Sequence, residues 1–579
     1  MDVTAAAGQR IDRYDTLKIC ILLFLAALVL RVIGINYGYW HGDERTNDAA
    51  RVLTGQLVPG QHFYPPLHNY IVATVYGIIF AIGRLIPVWH DAADFRSVYF
   101  ADPTIFYVGA RFTTACMSAL IAPLFYLIAR ELRFSKAMSL MVAGFAIILP
   151  VSVYLSHISK SDVPLATMTV ATIYCLLLKE RDPRSMWFDI LLGLSVSLAF
   201  SFKHSFLFIA IPLGVWHIVR SLQLLKIDEI VKSFAITAVV CVVSWLIFNI
   251  GIILDFANFL DYQAIQAQMS IREPSSPFAG VYLWGKLATQ TSAGITVLSF
   301  LLFLAFPAVV FSKYVSLEDK RPIACFWGAI AFAIIAVIAI TGERQHEGLW
   351  LAHFTAMQLF AALLLAMLVS SKSLMVHRVG IGLCVGLVLL SLAGVTRALR
   401  EAVAKPISQE VAEFVRDKFR DRKVVSSFLI KAPQTKQAQQ WDINREQRLA
   451  KKYKIEMPER ALERLIKFDS PQSIFYVKMP QVFYGLEFAT DEQLEGIVKP
   501  HGWPLQKEEW QLDYWMKQGF DVFVLADYDA LIKRPEPKLF YNFYTEMTKR
   551  CKLTRRFEPT KPMYLETSAV IFDCKDAGS

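Results

Sequence analysis

The sequence predicts a polytopic α-helical membrane protein that carries a C-terminal extracytoplasmic α/β domain. Three observations carry that reading. The 579 residues are 55% hydrophobic and 13% aromatic, with a mean hydropathy of +0.40, which excludes an ordinary soluble enzyme. Apolar runs of about 20 residues, the length that crosses ~30 Å of hydrocarbon, recur from Leu17 to about Arg397. From Arg400 onward the chain is charged and alternates between helix and strand patterns. The boundaries therefore fall at 1–399 for the membrane module and 400–579 for the soluble domain.

The first run, Leu17–Asn36, follows Arg10, Arg13 and Lys18 and reads as a retained helix whose N-terminus faces the cytoplasm. A polar insert, Tyr37–Leu67, separates it from the apolar run Leu67–Trp89. Within the insert, Asn47 or Asp48 is expected to cap a short helix over Ala49–Thr54 that Gly55 ends. The next polar segment, His90–Thr104, sets Asp91, Asp94 and Asp102 against Arg96, whereas the one after Phe106–Ile128 holds Arg130, Arg133 and Lys136. Positive-inside logic places the first outside and the second inside, so Leu67–Trp89 is expected to lie in the outer interface, anchored by Tyr70, Tyr76, Arg84 and Trp89. The first external loop then extends over about 37–104.

On that basis Phe106–Ile128, Ala137–Leu155, Val163–Leu178, Trp187–Phe202, Phe206–Val219 and Phe234–Leu254 alternate across the membrane, and Asp255–Lys286 forms a long external loop. Thr291–Phe311, Ile323–Thr341, Leu349–Val369 and Val379–Thr396 complete about eleven crossings and leave the C-terminal domain outside. The net charge of +10 is a topology signal, since the basic residues sit in the short cytoplasmic loops, and no nucleic-acid partner is expected.

The soluble domain reads as helical over Gln409–Phe419, Glu508–Lys517 and Leu539–Thr548, with strands at Val424–Phe428, Ser473–Val477, Asp521–Ala526 and Ala569–Phe572. Lys431–Lys467 is polar and helical in part. Six cysteines lie in apolar runs, where a lone Cys is a small hydrophobe. Cys551 and Cys574 are free to pair in an oxidising compartment, and no Cys/His cluster suggests zinc.

Four places have the residues for chemistry. Asp43-Glu44 puts carboxylates at the outer face, where one is suited to deprotonate a hydroxyl, although acids at a helix exit are often only solvated. Tyr64-Pro65-Pro66-Leu67 fixes an extended backbone and aims the following helix. Asp162, within Ser156–Pro164, sits at a helix N-terminus that stabilises a carboxylate, which capping alone also explains. Lys160, Lys203, His204, Arg344, His346 and His68 supply external cations or hydrogen-bond donors suited to phosphate, or to lipid headgroups.

Together these residues resemble the integral-membrane C-type glycosyltransferases, within them the protein O-mannosyltransferase and aminoarabinose transferase group. The carrying features are Asp43-Glu44, the short helix after it, Pro65-Pro66-Leu67, the helix bearing Arg111, the Arg-Glu-Leu-Arg at 130–133 and Asp162-Val163-Pro164-Leu165. The resemblance implies a C-type glycosyltransferase fold and a polyprenyl-phosphate-sugar donor used on the extracytoplasmic face, with the bacterial inner membrane as the expected location. It implies Asp43 as base of an inverting displacement, Asp162 as a second acid of the site, and Glu44 beside the substrate. The family commonly has Lys or His before Pro-Pro, where this chain has Tyr64, and Arg-Tyr in the late external loop, where it has Arg344-Gln345-His346. His68 and Arg344 are the expected substitutes.

The acceptor is a protein, a glycolipid or a glycan. No metal is required on this reading, although Asp43 and Asp162 suit Mg²⁺ or Mn²⁺ with waters. A lipid or glycolipid transporter and a non-catalytic scaffold on the same fold are the competing readings. Transporters concentrate ionisable groups near the midplane and often repeat their halves, and this chain does neither.

Overall fold

The computed structural model describes residues 13–37, 44–60, 62–270, 278–312, 321–454, 470–479, 506–564 and 566–575. The chain divides into two compact units. The first comprises 1–35, 42–79 and 108–402, and the second 36–41, 80–107 and 403–579.

Among its described residues, the first unit holds helices and no strand. It begins with α1 (Arg13–Val32) and α2 (Thr46–Leu53), and α3 (Leu67–Leu85) runs from it into the second unit. Among the described residues, seven helical stretches are long and apolar enough to cross a membrane: Thr104–Glu131, Asp162–Arg181, His204–Leu224, Ile227–Phe248, Arg321–Thr341, Glu347–Val369 and Leu374–Lys418. Shorter apolar helices, Lys136–Ile147, Met186–Phe202 and Val297–Val310, lie between them. The protein is thus a multi-pass membrane protein.

The helix Glu347–Val369 (here α18) is the centre of the unit. It is apolar all round, which suits a helix enclosed on every side, and it packs against Asp162–Arg181 (α9), Lys136–Ile147 and Val297–Val310. Beside α9 lies Met186–Phe202 (α10).

Three expectations are corrected in detail. Ala137–Leu155 is broken at Pro150, which opens its own short helix Pro150–Leu155, because proline's missing N–H suits a first turn and not a helix interior. The segment expected as an external loop, Asp255–Lys286, is largely helical, with α14 at Phe256–Ser270 and a second helix at Ala279–Ala288. A structureless connection of that length is uncommon in a compact domain. In α2, Asn47 and Asp48 do not cap. The helix starts at Thr46 with Arg45 before it, and Asp48 Oδ1 instead accepts a hydrogen bond from the Gly60 N–H at 3.2 Å.

In the second unit, the end of α3 turns back on itself. Trp89, expected as an interfacial anchor, folds onto the helix, where its Nε1 donates to the Phe80 carbonyl at 2.8 Å. Gly83 makes that approach possible, since a Cβ there would lie 2.1 Å from the Trp89 ring.

Among the described residues, the C-terminal part of this unit holds a five-stranded sheet in the order β2-β1-β3-β5-β4, with β1 Lys423–Ser426, β2 Tyr476–Lys478, β3 Phe520–Ala526, β4 Lys552–Phe557 and β5 Ala569–Asp573. β2, β1 and β3 are parallel, and β5 and β4 continue the sheet antiparallel. The expected helix and strand order holds, with α20 at Ile407–Lys418 and α21 at Lys436–Tyr453. β4 escapes the sequence reading because KLTRRF is charged, as an exposed edge strand should be. Trp510, Trp515, Phe543 and Tyr544 form an aromatic core on one face, and Cys551 and Cys574 are disulfide-bonded.

Candidate active site

The connection into α9 gathers most of the expected residues. Asp162 is the first residue of α9 and is only 1% exposed, so its charge must be met inside the protein. Lys203 meets it. At the end of α10 the backbone turns extended and sends the Lys203 ammonium to Asp162 Oδ1 at 2.5 Å. The Lys160 ammonium lies 3.5 Å from Oδ2, which itself has no hydrogen bond among the described residues.

The first turn of α18 closes on the same carboxylate. A Cβ at Gly348 would lie 2.7 Å from Asp162 Oδ2, so glycine is needed for that approach. His346 caps α18, its Nδ1 accepting from the Leu349 N–H at 3.2 Å. Burial pushes the imidazole down to about 4, and the Lys203 and Lys160 ammoniums push the same way. His346 is therefore a neutral capping group near the cluster, not a cation. Arg344 lies two residues earlier, in the turn after Arg321–Thr341, within electrostatic range of His346.

The diproline loop approaches the same cluster. The Tyr64 ring lies 5.6 Å from the Lys203 ammonium and 5.2 Å from the Arg45 guanidinium, cation–π distances that suit Tyr in place of a second cation. His68, the second residue of α3, points its Nε2 at Ser159 Oγ, 3.1 Å away. Burial holds its imidazole down to about 4, against the pull of Asp162 and Glu44. A neutral His68 acts through hydrogen bonding alone.

Glu44 plays a different part. Both its oxygens accept from Arg111, Nε to Oε1 and Nη2 to Oε2 at 2.7 Å each, and Oε1 also accepts from the Ser159 N–H at 2.9 Å. This buried fork ties the insert to the helix bearing Arg111 and to the Ser156–Ser161 turn. It leaves Glu44 little capacity for a ligand and makes it the brace next to the site. Asp43, its neighbour and the expected base, lies outside the described residues. His204 departs from the cluster, because its ring meets Phe259 of α14 edge-on at 5.5 Å.

Arg111 is the site-supporting residue whose partner the sequence did not reveal. An isolated arginine inside an apolar run is the available signal, because such a charge needs an acid from elsewhere. Among the described residues, no group of three or more His, Cys, Asp or Glu is placed to hold a metal ion. The Asp162 carboxylate faces ammonium groups that would repel a divalent cation, so the described part of the site does not fit one.

These features define a multi-pass helical protein of the C-type glycosyltransferase fold. The apo structure of ArnT from Cupriavidus metallidurans superposes with a TM-score of 0.51, at 11% identity, over 96% of this chain and 98% of that one. The same protein bound to undecaprenyl phosphate gives 0.49, at 13% identity over 95% and 97%. An Archaeoglobus fulgidus oligosaccharyltransferase complexed with zinc and sulfate gives 0.47, at 12% identity over 91% and 71%. More particularly, residues 63–266 match the profile of the dolichyl-phosphate-mannose-protein mannosyltransferase family. The resemblance drawn from the motifs is thus met. No curated protein matches the sequence.

Proposed function

We propose that the protein transfers a sugar from a polyprenyl-phosphate-linked donor to an acceptor on the extracytoplasmic side of the membrane, by inverting displacement. The observation that carries the reading is the Asp162–Lys203 pair, beside the diproline loop and inside the segment that matches the mannosyltransferase profile. The acceptor hydroxyl oxygen attacks the anomeric carbon, the bond from that carbon to the phosphate oxygen breaks, and the phosphate leaves with the electron pair. Asp43 takes the hydroxyl proton. Lys203 and Lys160 neutralise the leaving phosphate, and Asp162 keeps the two ammoniums in place. Arg344 extends the cationic surface, while Tyr64 and His68 wall the pocket.

The charge bookkeeping supports the side. Each loop assigned to the cytoplasm carries at least two Lys or Arg, and the disulfide in the C-terminal unit suits an oxidising compartment. The donor sugar is a hexose or a pentose, and the acceptor a protein, glycolipid or glycan.

Asp43→Asn tests the reading. With purified protein and a polyprenyl-phosphate sugar, sugar release is expected to fall at least ~100-fold, the scale of a lost general base, with thermal unfolding unchanged. Near-normal turnover would remove Asp43 from the mechanism.

A further inference from the structure

We propose that α14 is a positioning clamp for the diproline loop, gripping His62 and Phe63 so that Tyr64 is held over Lys203. Nothing local in the sequence joins these segments, because His62 and Asp255 are 193 residues apart.

The grip comes from one face of a helix. Asp255, immediately before α14, and Phe259, Tyr262 and Gln263 within it are spaced i, i+4, i+7 and i+8, the spacing of a single stripe. All four touch the loop. His62 Nε2 lies 2.7 Å from Asp255 Oδ2, and Gln263 Nε2 donates to the His62 carbonyl at 3.0 Å. The His62 ring meets Phe259 and Tyr262 edge-on, at 6.1 and 5.9 Å, and Phe63 meets Tyr262 at 5.0 Å.

The clamp is itself braced. Asp255 Oδ1 accepts from Asn258 Nδ2 at 2.8 Å, so the carboxylate is oriented before His62 arrives. His62 is 2% exposed, which shields the contact from competing water. Upstream, the loop is fixed at Gly60 by Asp48 and at Leu57, whose carbonyl accepts from the Tyr70 hydroxyl at 2.8 Å. The Gly251 N–H donates to that hydroxyl at 3.1 Å.

Phe259 gives the arrangement its reach. The ring that meets His62 also meets His204, the residue after Lys203. One side chain of α14 thus bears on both halves of the contact, the loop that ends in Tyr64 and the turn that begins at Lys203. Shifting α14 displaces Tyr64 and Lys203 relative to one another, and a displacement near 1 Å is enough to impair a site by orders of magnitude. The inference rests on the proposed function only in assigning Lys203 to the donor phosphate.

The test uses the full-length protein in detergent, with undecaprenyl phosphate as the binding probe and limited proteolysis as a readout of the loop that needs no activity. In His62→Leu and in Asp255→Ala, the dissociation constant is expected to rise about tenfold through lost preorganisation, and cleavage between Gly55 and Gln61 to accelerate. His62→Gln carries an amide nitrogen to the same acceptor and is expected to restore affinity to within about threefold, with slow cleavage, as a conserved hydrogen bond should. The double variant His62→Leu with Asp255→Ala should bind no more weakly than the worse single, the signature of a coupled pair.

A purely structural contact would lower the melting temperature and leave the affinity of the folded protein at the wild-type value. That result, strictly additive losses, or unchanged cleavage overturns the clamp. If wild type binds no undecaprenyl phosphate and releases no sugar, but cleavage responds as described, the functional reading fails and the clamp stands.

Discussion

Asp162 in the membrane unit and Glu509 in the C-terminal unit are buried acids treated in opposite ways. Glu509 gives both oxygens to Arg445, at 2.5 Å each, a bidentate fork of fixed geometry. Asp162 bonds one oxygen to the flexible tip of Lys203 and leaves the other without a hydrogen bond among the described residues. A planar fork locks two elements together, whereas ammonium groups on long stems are able to re-aim. Glu44 belongs with Glu509 in this respect, although it adjoins the expected base. The contrast separates charge locked in a fork from charge held on flexible stems.

The largest expected effect falls on a brace. Glu44→Ala takes the bidentate carboxylate away from the buried Arg111 guanidinium, which should cost about 3–5 kcal/mol, measured as a lower unfolding midpoint. Replacing both partners by apolar residues of similar volume should recover most of that loss. If Glu44→Ala unfolds like wild type, the fork is no brace and the comparison fails.

In the C-terminal unit, exchanging Cys551 and Cys574 for Ser together should cost about 3 kcal/mol, the loop-closure value for residues 23 apart in sequence. Transfer by the membrane unit at low temperature should persist. Free thiols in protein taken from native membranes, read by alkylation and mass spectrometry, would count against an extracytoplasmic position.

Asp162→Asn sharpens the contrast from the other side. The amide oxygen still accepts from Lys203, so stability is expected to change by only about 1–2 kcal/mol. Sugar release should nonetheless fall by about tenfold or more as the cations lose their counter-charge. A variant that melts far lower but turns over normally when folded would make Asp162 another brace.

The smallest effect is a pH dependence. In α21, burial pushes the Asp442 carboxyl up to about 6, against the opposing pull of its hydrogen bond from Gln434. A raised carboxyl stabilises the folded state in its protonated form. That contribution is complete below the unfolded value near 3.8 and is lost as pH rises through about 6. Asp442→Asn should therefore raise the unfolding midpoint of the C-terminal unit above pH 6 and not below pH 4. Its size is about 1 kcal/mol after discounting for partial exposure.

Much of this was legible in the chain. The apolar runs, the charged loops between them and the helix and strand order after Arg400 follow from local periodicity. The motif spacing around Pro65-Pro66 and Asp162 pointed to the right fold. Asp162 and Lys203 were both singled out, but their contact, across 41 residues, was not. Pairs such as Arg111 with Glu44 and His62 with Asp255 have no periodic signature, because they form between elements whose packing is set elsewhere. β4 was missed for a related reason, since a charged edge strand lacks the apolar alternation that marks a buried one.

The membrane helices show where sequence stops and tertiary structure begins. Phe234–Leu254 and Leu349–Val369 both read as apolar spans, yet the helix Ile227–Phe248 is almost wholly exposed and the helix Glu347–Val369 is almost wholly buried within the protein. Lipid tails and a protein core are alike in polarity, so hydrophobicity sets which segments leave water and cannot say which of them face lipid. The sequence by itself determined which segments are apolar, where the polar insert lies and which residues have the groups for chemistry, but not how many crossings there are: about eleven were expected, and seven helical stretches among the described residues are long and apolar enough. Only tertiary packing decided that α18 stands at the centre, that Gly348 closes on Asp162, and that α14 reaches back to His62, because each depends on which helices become neighbours.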